Sequence, residues 1–211
     1  MIFSGLDFAV PPGGALILNG PNGSGKSSLL KIIAALLPAH SGLLSVGSED
    51  ILGDRDWISR NLCYLAHKNG LKPDMTVAEN LTFWASMMYH DSNIGPNIND
   101  IAAQVGLAHC RDLAIRFLSS GQARRAALAR VLCHPGRIWL LDEPTVGLDA
   151  NGAALLAGLM NDHLAQGGRI LAASHINLGI DPDKSTGLDM ADFSPGASRR
   201  SVYDRAEDVI C

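Results

Sequence analysis

The five residues Leu-Ser-Ser-Gly-Gln at positions 118–122 decide how this sequence is interpreted, because they lie between two nucleotide-binding motifs. Upstream, residues 20–27 read Gly-Pro-Asn-Gly-Ser-Gly-Lys-Ser and fit the phosphate-loop pattern G-x-x-x-x-G-K-S/T. Downstream, residues 138–143 read Ile-Trp-Leu-Leu-Asp-Glu. A phosphate loop alone indicates only that a nucleotide binds. The element between the two motifs predicts that one subunit holds the triphosphate and that a second subunit closes over it.

The phosphate loop has the flanking sequence that its chemistry requires. Residues 15–18 are a short apolar run typical of a buried parallel strand, and residues 27–37 follow as a predicted helix that stops before Pro38. This order points backbone N–H groups and a helix N-terminus at phosphate oxygens. Lys26 is expected to reach the β- and γ-phosphates of ATP, and the Ser27 hydroxyl to bind Mg²⁺. The predicted nucleotide contacts in this segment are Gly20, Pro21, Asn22, Gly23, Ser24, Gly25, Lys26, Ser27 and Ser28.

Two carboxylates and a histidine follow apolar runs that predict buried strands. Asp142 and Glu143 come directly after residues 138–141, and His175 comes after residues 170–174. Ligands of open α/β sheets bind at the carboxyl ends of the strands. We therefore expect Asp142 to hold Mg²⁺, Glu143 to act as general base on the attacking water, and His175 to contact the γ-phosphate. The other histidines, with His67 excepted, are expected to be ordinary surface or packing residues.

Residues Ser119, Ser120, Gly121 and Gln122 are predicted to open a helix. The free N–H groups and the dipole of a helix N-terminus favour an anion. In a single chain this anion site would lie far from Lys26, so its expected use is to cap the γ-phosphate that the opposite subunit holds. A lone chain should then hydrolyse ATP poorly, and Ser119→Arg should abolish hydrolysis while ATP binding survives.

Composition narrows the class of protein. The 211 residues are 47% hydrophobic, which is enough for a substantial core, and the formal net charge is −4. No basic run appears, which argues against a general nucleic-acid binder. The arginine pairs at 124–125 and 199–200 are isolated and are expected to be solvated.

The lack of a recognisable targeting signal and the spacing of the cysteines predict a cytoplasmic protein. The longest strongly apolar stretch, residues 32–37, is too short to cross a bilayer, and the N-terminal segment does not have the pattern of a secretory signal. The four cysteines are widely spaced with no C-x-x-C, so neither a zinc site nor a haem attachment is indicated, and reduced thiols are expected. Contact with a membrane is expected to go through a partner.

Strands and helices alternate at both ends of the sequence, which predicts an α/β fold with a mostly parallel sheet. The predicted strands cover residues 3–10, 42–47, 61–66, 137–141 and 169–173. The predicted helices beyond the phosphate loop cover residues 76–88, 100–105, 119–132 and 151–166, with a loop at 91–99.

The ordered motifs resemble those of ATP-binding subunits of ABC transporters, over about residues 1–176. The matching segments are the Walker A motif (20–27), the signature (118–122), the Walker B motif (138–143), the D-loop with Asp149, and the switch histidine His175. The resemblance implies a P-loop NTPase core sheet, an inserted α-helical subdomain and a small antiparallel β portion. The corresponding division is a core at about 1–71 and 134–180, a helical subdomain at about 72–133, and an unassigned tail at 181–211. It also implies a head-to-tail pair of ATPase subunits, as a homodimer or otherwise, that ATP closes.

A narrower resemblance rests on residues 64–84, which are similar to the haem exporter ATP-binding subunits of cytochrome c biogenesis. His67 stands where most ABC ATPases have glutamine and where this subfamily commonly has histidine. The implied partners are integral membrane subunits of the exporter, with the chain peripheral on the cytoplasmic face of the bacterial inner membrane. No haem-ligand set is indicated, so partners are expected to handle haem. Because imidazole loses its acceptor when protonated, we expect ATPase activity to fall on acidification through His67.

Three features depart from the family pattern. Ser120 replaces the second glycine of the signature, and Val146-Gly147 replaces the common Ser-Ala before Leu148-Asp149. Relatives also carry a strand and an adenine-stacking aromatic before the segment that matches Phe3, so the adenine contact has no assignment in this sequence.

Other functions stay open at this point. The chain could power an exporter for another substrate, or act on DNA repair or translation machinery as an ABC-type ATPase without a membrane partner. A non-hydrolysing regulatory binder is disfavoured because Lys26, Asp142, Glu143 and His175 are all present. A small-molecule kinase is poorly compatible with residues 118–122.

Overall fold

The computed structural model describes residues 2–89 and 95–194 and places the strands in two sheets. The strands are β1 (Ala15–Asn19), β2 (Ser45–Val46), β3 (Glu49–Asp50), β4 (Leu62–Leu65), β5 (Ile138–Asp142), β6 (Arg169–Ala173) and β7 (Ser185–Asp189). The α-helices are α1 (Lys26–Ile33), α2 (Arg55–Asn61), α3 (Val77–Met88), α4 (Ile98–Gln104), α5 (Ser120–Leu132) and α6 (Ala150–Ala165).

The larger sheet has five parallel strands in the order β4-β5-β6-β1-β7. Its register aligns the carboxyl ends: Leu65 lies opposite Leu141, Asp142 opposite Ala173, and Ala173 belongs to the strand that also pairs with β1. The loops that leave β1, β4, β5 and β6 therefore start at one edge of the sheet. The smaller sheet is a β2–β3 antiparallel hairpin, so the expected combination of a parallel core and a small antiparallel β portion is confirmed.

Apolar side chains cover both faces of the parallel sheet, because successive residues of a strand point to opposite sides. In β5, Leu140 packs in the cluster with Leu30 of α1, whereas Leu141 packs in the cluster with Leu156 and Met160 of α6. Each of these five side chains is at most 1% exposed. Fully burying a leucine stabilises the fold by about 1.5–3 kcal/mol, so both faces contribute strongly.

A third apolar cluster joins α3, α4 and α5. Leu81 of α3, Ala102 of α4 and Ala126 of α5 are all 0% exposed within it. Helix α5 also packs on the sheet through Ala127 and Leu128, which belong to the cluster of α6. Helix α5 is therefore fixed on two sides, by the other helices and by the parallel sheet.

Several boundaries differ from those the sequence predicts. Residues 3–10 form no strand; their side chains Phe3, Leu6, Phe8 and Val10 pack on the α1 side of the core without a ladder. Helix α1 ends at Ile33 rather than at residue 37, because Ala35 takes a left-handed conformation (φ 52°) that helices do not continue through. Helix α4 begins at Ile98, two residues before the predicted start.

The segment after residue 180, which the sequence left unassigned, contributes to the sheet. Strand β7 pairs in parallel with β1 from Ala15–Ser185 to Asn19–Asp189, and Leu188 is 2% exposed. Its sequence Ser-Thr-Gly-Leu-Asp has one large apolar residue, so apolar periodicity gave no signal for a strand. No helix within the described residues is long and apolar enough to cross a membrane.

Candidate active site

The phosphate loop forms an open cradle between β1 and α1. Gly20, Gly23 and Gly25 have φ of 119°, 83° and 104°, in the region that favours glycine. A Cβ added at Gly20 would lie 3.0 Å from Ser24 Oγ, so a side chain there would force this neighbour to shift. Within the described residues Ser24 Oγ is buried and has no hydrogen-bond partner. A buried hydroxyl without a partner is costly, and a phosphate oxygen in the cradle would satisfy it.

Lys26 lies inside this cradle and is only 7% exposed. Its Nζ donates hydrogen bonds to the carbonyl oxygens of Gly20 at 2.6 Å and Pro21 at 3.0 Å. These bonds satisfy the buried ammonium group. The amine thus lies at the centre of the loop, where it can exchange carbonyl oxygens for phosphate oxygens.

Ser27 and Asp142 meet at the carboxyl edge of the sheet, as the sequence predicts for a shared Mg²⁺ site. Ser27 Oγ donates to Asp142 Oδ1 at 2.8 Å, and Asp142 is 4% exposed. Mg²⁺ prefers oxygen ligands and usually binds through one or two protein groups, with water and phosphate completing its shell. The donor set therefore fits Mg²⁺.

Tyr64 is a neighbour of this pair that the sequence analysis missed. Its hydroxyl donates to Asp142 Oδ2 at 3.3 Å. Burial, and secondarily the adjacent carboxylate of Asp142, raises the pKa of Tyr64 well above its usual value, so the phenol stays protonated as a donor. Nothing in the local pattern of β4 marks Tyr64, since a half-buried tyrosine in a strand is common.

Glu143 and His175 face each other across the ends of β5 and β6. His175 Nε2 lies 3.3 Å from Glu143 Oε1 and 3.0 Å from Asn22 Oδ1 of the phosphate loop. Glu143 has a φ of 47°, which costs a residue with a Cβ about 1–2 kcal/mol. Its N–H donates to Ala173 O at 2.9 Å, which helps to hold this conformation. The structure brings these three predicted site residues together.

The remaining predicted contacts do not join this group within the described residues. None of the described hydrogen bonds links residues 119–122 to the phosphate loop, and the exposed side chain of His67 makes none. Asp149 accepts from Gly152 N at 2.7 Å and so caps its own helix α6. Among the described residues, no hydrogen bond therefore joins these groups to the chain's own phosphate loop.

Helix α5 begins with a capping box. Ser119 Oγ accepts from Gln122 N at 3.2 Å, and Gln122 Oε1 accepts from Ser119 N at 2.9 Å. The next two N–H groups, of Ser120 and Gly121, have no acceptor among the described residues. A Cβ at Gly121 would lie 3.3 Å from Gly147 O, so this helix end packs closely against the loop before Asp149.

Arg124 corrects the expectation that the arginine pair 124–125 is solvated. Arg124 is 3% exposed and donates six hydrogen bonds, all to the two loops that leave β4 and β5. Burial lowers the pKa of its guanidinium and the nearby Asp142 opposes that shift, but an arginine stays charged at any pH a protein tolerates. The spacing along α5 predicts this burial. Arg124 lies three residues before Ala127 and four before Leu128, so it shares the helix face of these two core residues.

This fold and this arrangement of a phosphate cradle, strand-end carboxylates and a capped helix N-terminus define an ATP-binding cassette. The model of the ABC transporter family matches residues 3–146, and the chain belongs to that family. Among solved structures, it is similar to an ATP-binding subunit of an ABC transporter, with a TM-score of 0.71 and 25% identity, over 80% of this chain and 71% of that one.

Curated relatives narrow the family further. The chain is 46% identical over 181 residues to the cytochrome c biogenesis ATP-binding export protein CcmA of Bradyrhizobium diazoefficiens, covering 85% of this chain and 87% of that protein. It is 42% identical over 203 residues to the CcmA protein of Ruegeria pomeroyi, covering 96% and 89%. The narrower resemblance drawn from residues 64–84 is thereby confirmed.

Proposed function

We propose that this chain is the ATP-hydrolysing subunit of a membrane ABC transporter that powers haem export or release for cytochrome c biogenesis. The observation that carries the ATPase part is that one chain has both a phosphate cradle and a helix start whose first N–H groups have no acceptor among the described residues, which we interpret as two complementary halves of an ATP site. One half is the cradle with Lys26, and the other is the open helix end at Ser119. The names of the relatives, which are ATP-binding export proteins of cytochrome c biogenesis, support the pathway.

In the proposed reaction each side chain of the cradle half has one task. Lys26 binds the β- and γ-phosphates after leaving the carbonyl oxygens of Gly20 and Pro21. Ser27 and Asp142 would hold Mg²⁺, which neutralises charge that develops on the phosphate oxygens. Tyr64 fixes the second oxygen of the Asp142 carboxylate.

Glu143 and His175 prepare the attacking water. Glu143 accepts a proton from water as it attacks the γ-phosphorus, and the new bond forms as the bond to the β-phosphate oxygen breaks. A proton on His175 Nε2 lets the ring donate to the γ-phosphate while it keeps contact with the Glu143 carboxylate at 3.3 Å.

The second half of the site would be completed by another copy. Two chains arranged head to tail place Ser119, Ser120, Gly121 and Gln122 of one on the γ-phosphate bound by the other. The N–H groups of Ser120 and Gly121 are available for this because no acceptor occupies them among the described residues. Asp149 and His67, which are exposed, would lie at the same interface.

The remaining parts of the proposal concern the setting. Integral membrane subunits would bind the paired ATPases on the cytoplasmic face of the bacterial inner membrane, with this chain peripheral. Haem would be handled by those subunits rather than by this chain. Co-purification with membrane proteins that detach when ATP closure is blocked would support this setting.

Ser119→Arg tests the shared site, because a long cation at the helix cap blocks the approach of the opposite cradle. We expect loss of ATP hydrolysis with an ATP Kd unchanged within about threefold, since the chain's own cradle is intact. Ser59→Arg, an exposed serine-to-arginine change on α2, is the matched control and should hydrolyse normally. ATPase rates and nucleotide binding measured on both variants decide the question. Normal hydrolysis by the Ser119 variant would exclude the shared site.

A further inference from the structure

We infer that Arg124 is a positioning residue that fixes the general base Glu143 and the His67 loop to the helix whose tip closes the partner's ATP site. The inference rests on the proposed function, because it requires that Ser119 acts on ATP held by another copy. It adds a direct connection inside one chain between the two ATP sites of the pair.

One side of the Arg124 guanidinium holds the loop that carries Glu143. Nη2 donates to Glu143 O at 2.7 Å and to Asp142 O at 3.3 Å, and Nε donates to Pro144 O at 3.1 Å. Glu143 has a left-handed backbone, and strained conformations of this kind persist only where their surroundings fix them from several directions. Arg124 supplies the contacts to the carbonyl oxygens on either side of that strained residue.

The other side of the guanidinium holds the loop that follows β4. Nη1 donates to Ala66 O at 3.1 Å, to His67 O at 3.4 Å and to Asn69 Oδ1 at 3.1 Å. The two loops leave neighbouring strands, and Arg124 donates hydrogen bonds to both of them. A planar cation with five N–H donors in a rigid fork reaches both sets of acceptors at once, with one N–H of Nη1 shared between two acceptors, whereas a lysine amine cannot span the two loops.

The link to the partner's site runs along α5. Arg124 is four residues after Ser120, about one helical turn from the N–H groups proposed to bind the partner's γ-phosphate. The helix is packed on both sides, so it moves as one piece with its tip. When the start of α5 binds the partner's phosphate, any shift of this helix is therefore transmitted to the Glu143 loop through Arg124. Hydrolysis at one site becomes dependent on the occupancy of the other.

The test is Arg124→Lys in the full chain, compared with Arg137→Lys at the opposite end of β5. Arg137 precedes β5 at its amino end, and the one hydrogen bond that its side chain makes among the described residues goes to Gln166 O, away from the carboxyl edge that carries Glu143. For Arg124→Lys we expect kcat to fall between about 10- and 100-fold while the ATP Kd changes less than about threefold, because the cradle is untouched and only the base is misplaced. We also expect the Hill coefficient for ATP in hydrolysis to fall toward 1, a change that a merely structural role would not produce. The control should keep the wild-type values of all three quantities.

A folded Arg124→Lys variant with wild-type kcat, or one whose kcat falls while the Hill coefficient stays at the wild-type value, would overturn the inference. If that variant fails to fold, Asn69→Leu decides instead. It removes one acceptor from the same network, and a few-fold loss of kcat with a lower Hill coefficient is expected, whereas unchanged kinetics would overturn the inference. Ser119→Arg distinguishes failure of the shared ATP site from failure of the role assigned to Arg124. Should it hydrolyse normally, the shared site itself fails; should it be inactive while Arg124→Lys is normal, only the role of Arg124 fails.

Discussion

Helices α3 and α5 begin with the same cap but differ in what their first N–H groups meet. Thr76 caps α3 with φ −66° and ψ 168°, Ser119 caps α5 with φ −64° and ψ 162°, and each forms a complete capping box. In α3 the next two N–H groups are used: Val77 N donates to Leu113 O at 3.1 Å and Ala78 N to Arg111 O at 2.9 Å. In α5 the equivalent groups have no acceptor within the described residues.

The difference shows that a cap motif alone does not indicate a ligand site. Both helix starts fit the signature of a hydroxyl followed three residues later by a glutamate or glutamine. Only the surroundings separate them: the segment paired with Thr76 through Ala114 supplies acceptors to the start of α3, whereas the loop that packs against Gly121 supplies none to the first N–H groups of α5 among the described residues. An unsatisfied pair of N–H groups at a dipole end is available to an anion.

Replacing the first residue of each helix with proline should give the largest difference between α3 and α5, because it removes one N–H group from each helix start. Proline is favoured there, and both caps have the extended ψ that a following proline requires. Ser120→Pro deletes one of the free N–H groups without a cost to the helix. We expect ATP hydrolysis to fall about 10²–10³-fold, the usual effect of losing one phosphate- or oxyanion-binding donor, with an unchanged or higher melting temperature.

Val77→Pro is the matched variant in α3 and should behave in the opposite way. It removes the hydrogen bond to Leu113 O and a side chain that is 0% exposed, so we expect a loss of about 2 kcal/mol in the free energy of unfolding. Activity per folded molecule should stay within about twofold. Thermal melts and ATPase assays on both variants provide the measurement, and equal losses of activity in the two would end the distinction between the helices.

Removing the caps themselves should give a smaller effect that sharpens the same point. Thr76→Ala and Ser119→Ala each lose one side-chain bond to an N–H group, at 3.1 Å and 3.2 Å respectively. Both should lower the free energy of unfolding by about 1 kcal/mol. Only Ser119→Ala should also reduce hydrolysis, by about tenfold, because in the proposed dimer its hydroxyl and the N–H groups that it orders bind the partner's phosphate. Denaturant titrations beside kinetic assays separate the two losses, and a tenfold loss of activity in Thr76→Ala would contradict the assignment.

The site residues that could be predicted from the sequence are those that directly follow a predicted strand or lie a few positions apart in the chain. Lys26, Asp142 and Glu143 follow apolar runs that fold into parallel strands, so their meeting at one edge follows from topology. His175 follows from the same rule. The capping boxes were readable because they involve residues only three positions apart.

Contacts between residues far apart in the sequence could not be predicted in this way. Tyr64 reaches Asp142 from another strand, and the acceptors of Arg124 lie 18 to 58 residues away. Sequence reasoning treated Arg124 as solvated because charge alone suggests exposure, although its position on the apolar side of α5 argued otherwise. Strand β7 was missed since a strand at the sheet's edge with one large apolar residue has no distinctive period.

The smallest expected effect concerns a third helix end, the C-terminus of α6. The side chain of His163 there is already hydrogen-bonded within the chain, so changing it should alter stability and leave catalysis unchanged. His163 stacks on Trp139 at 3.8 Å between ring centroids, and its Nε2 lies 3.1 Å from Arg137 O. Burial lowers the pKa of His163 below its usual value of 6.5, as it does for His134. The unfolded chain therefore binds the proton first. Stability is full above pH 6.5 and is lost as the pH falls through the folded-state pKa.

Between pH 7.5 and 5.5 we thus expect the free energy of unfolding to fall through His163, because the unfolded chain takes up the proton at a higher pH than the folded chain does. His163→Phe keeps a ring on Trp139 but cannot titrate, so its stability should depend less on pH, while the contribution of His134 remains. Denaturant unfolding at several pH values measures the slope. The ATP Kd of the variant should match that of the wild type at pH 7.5, because this helix end lies at the starts of β5 and β6 and not at the edge that binds nucleotide. An unchanged pH slope in His163→Phe would show that another group carries the effect.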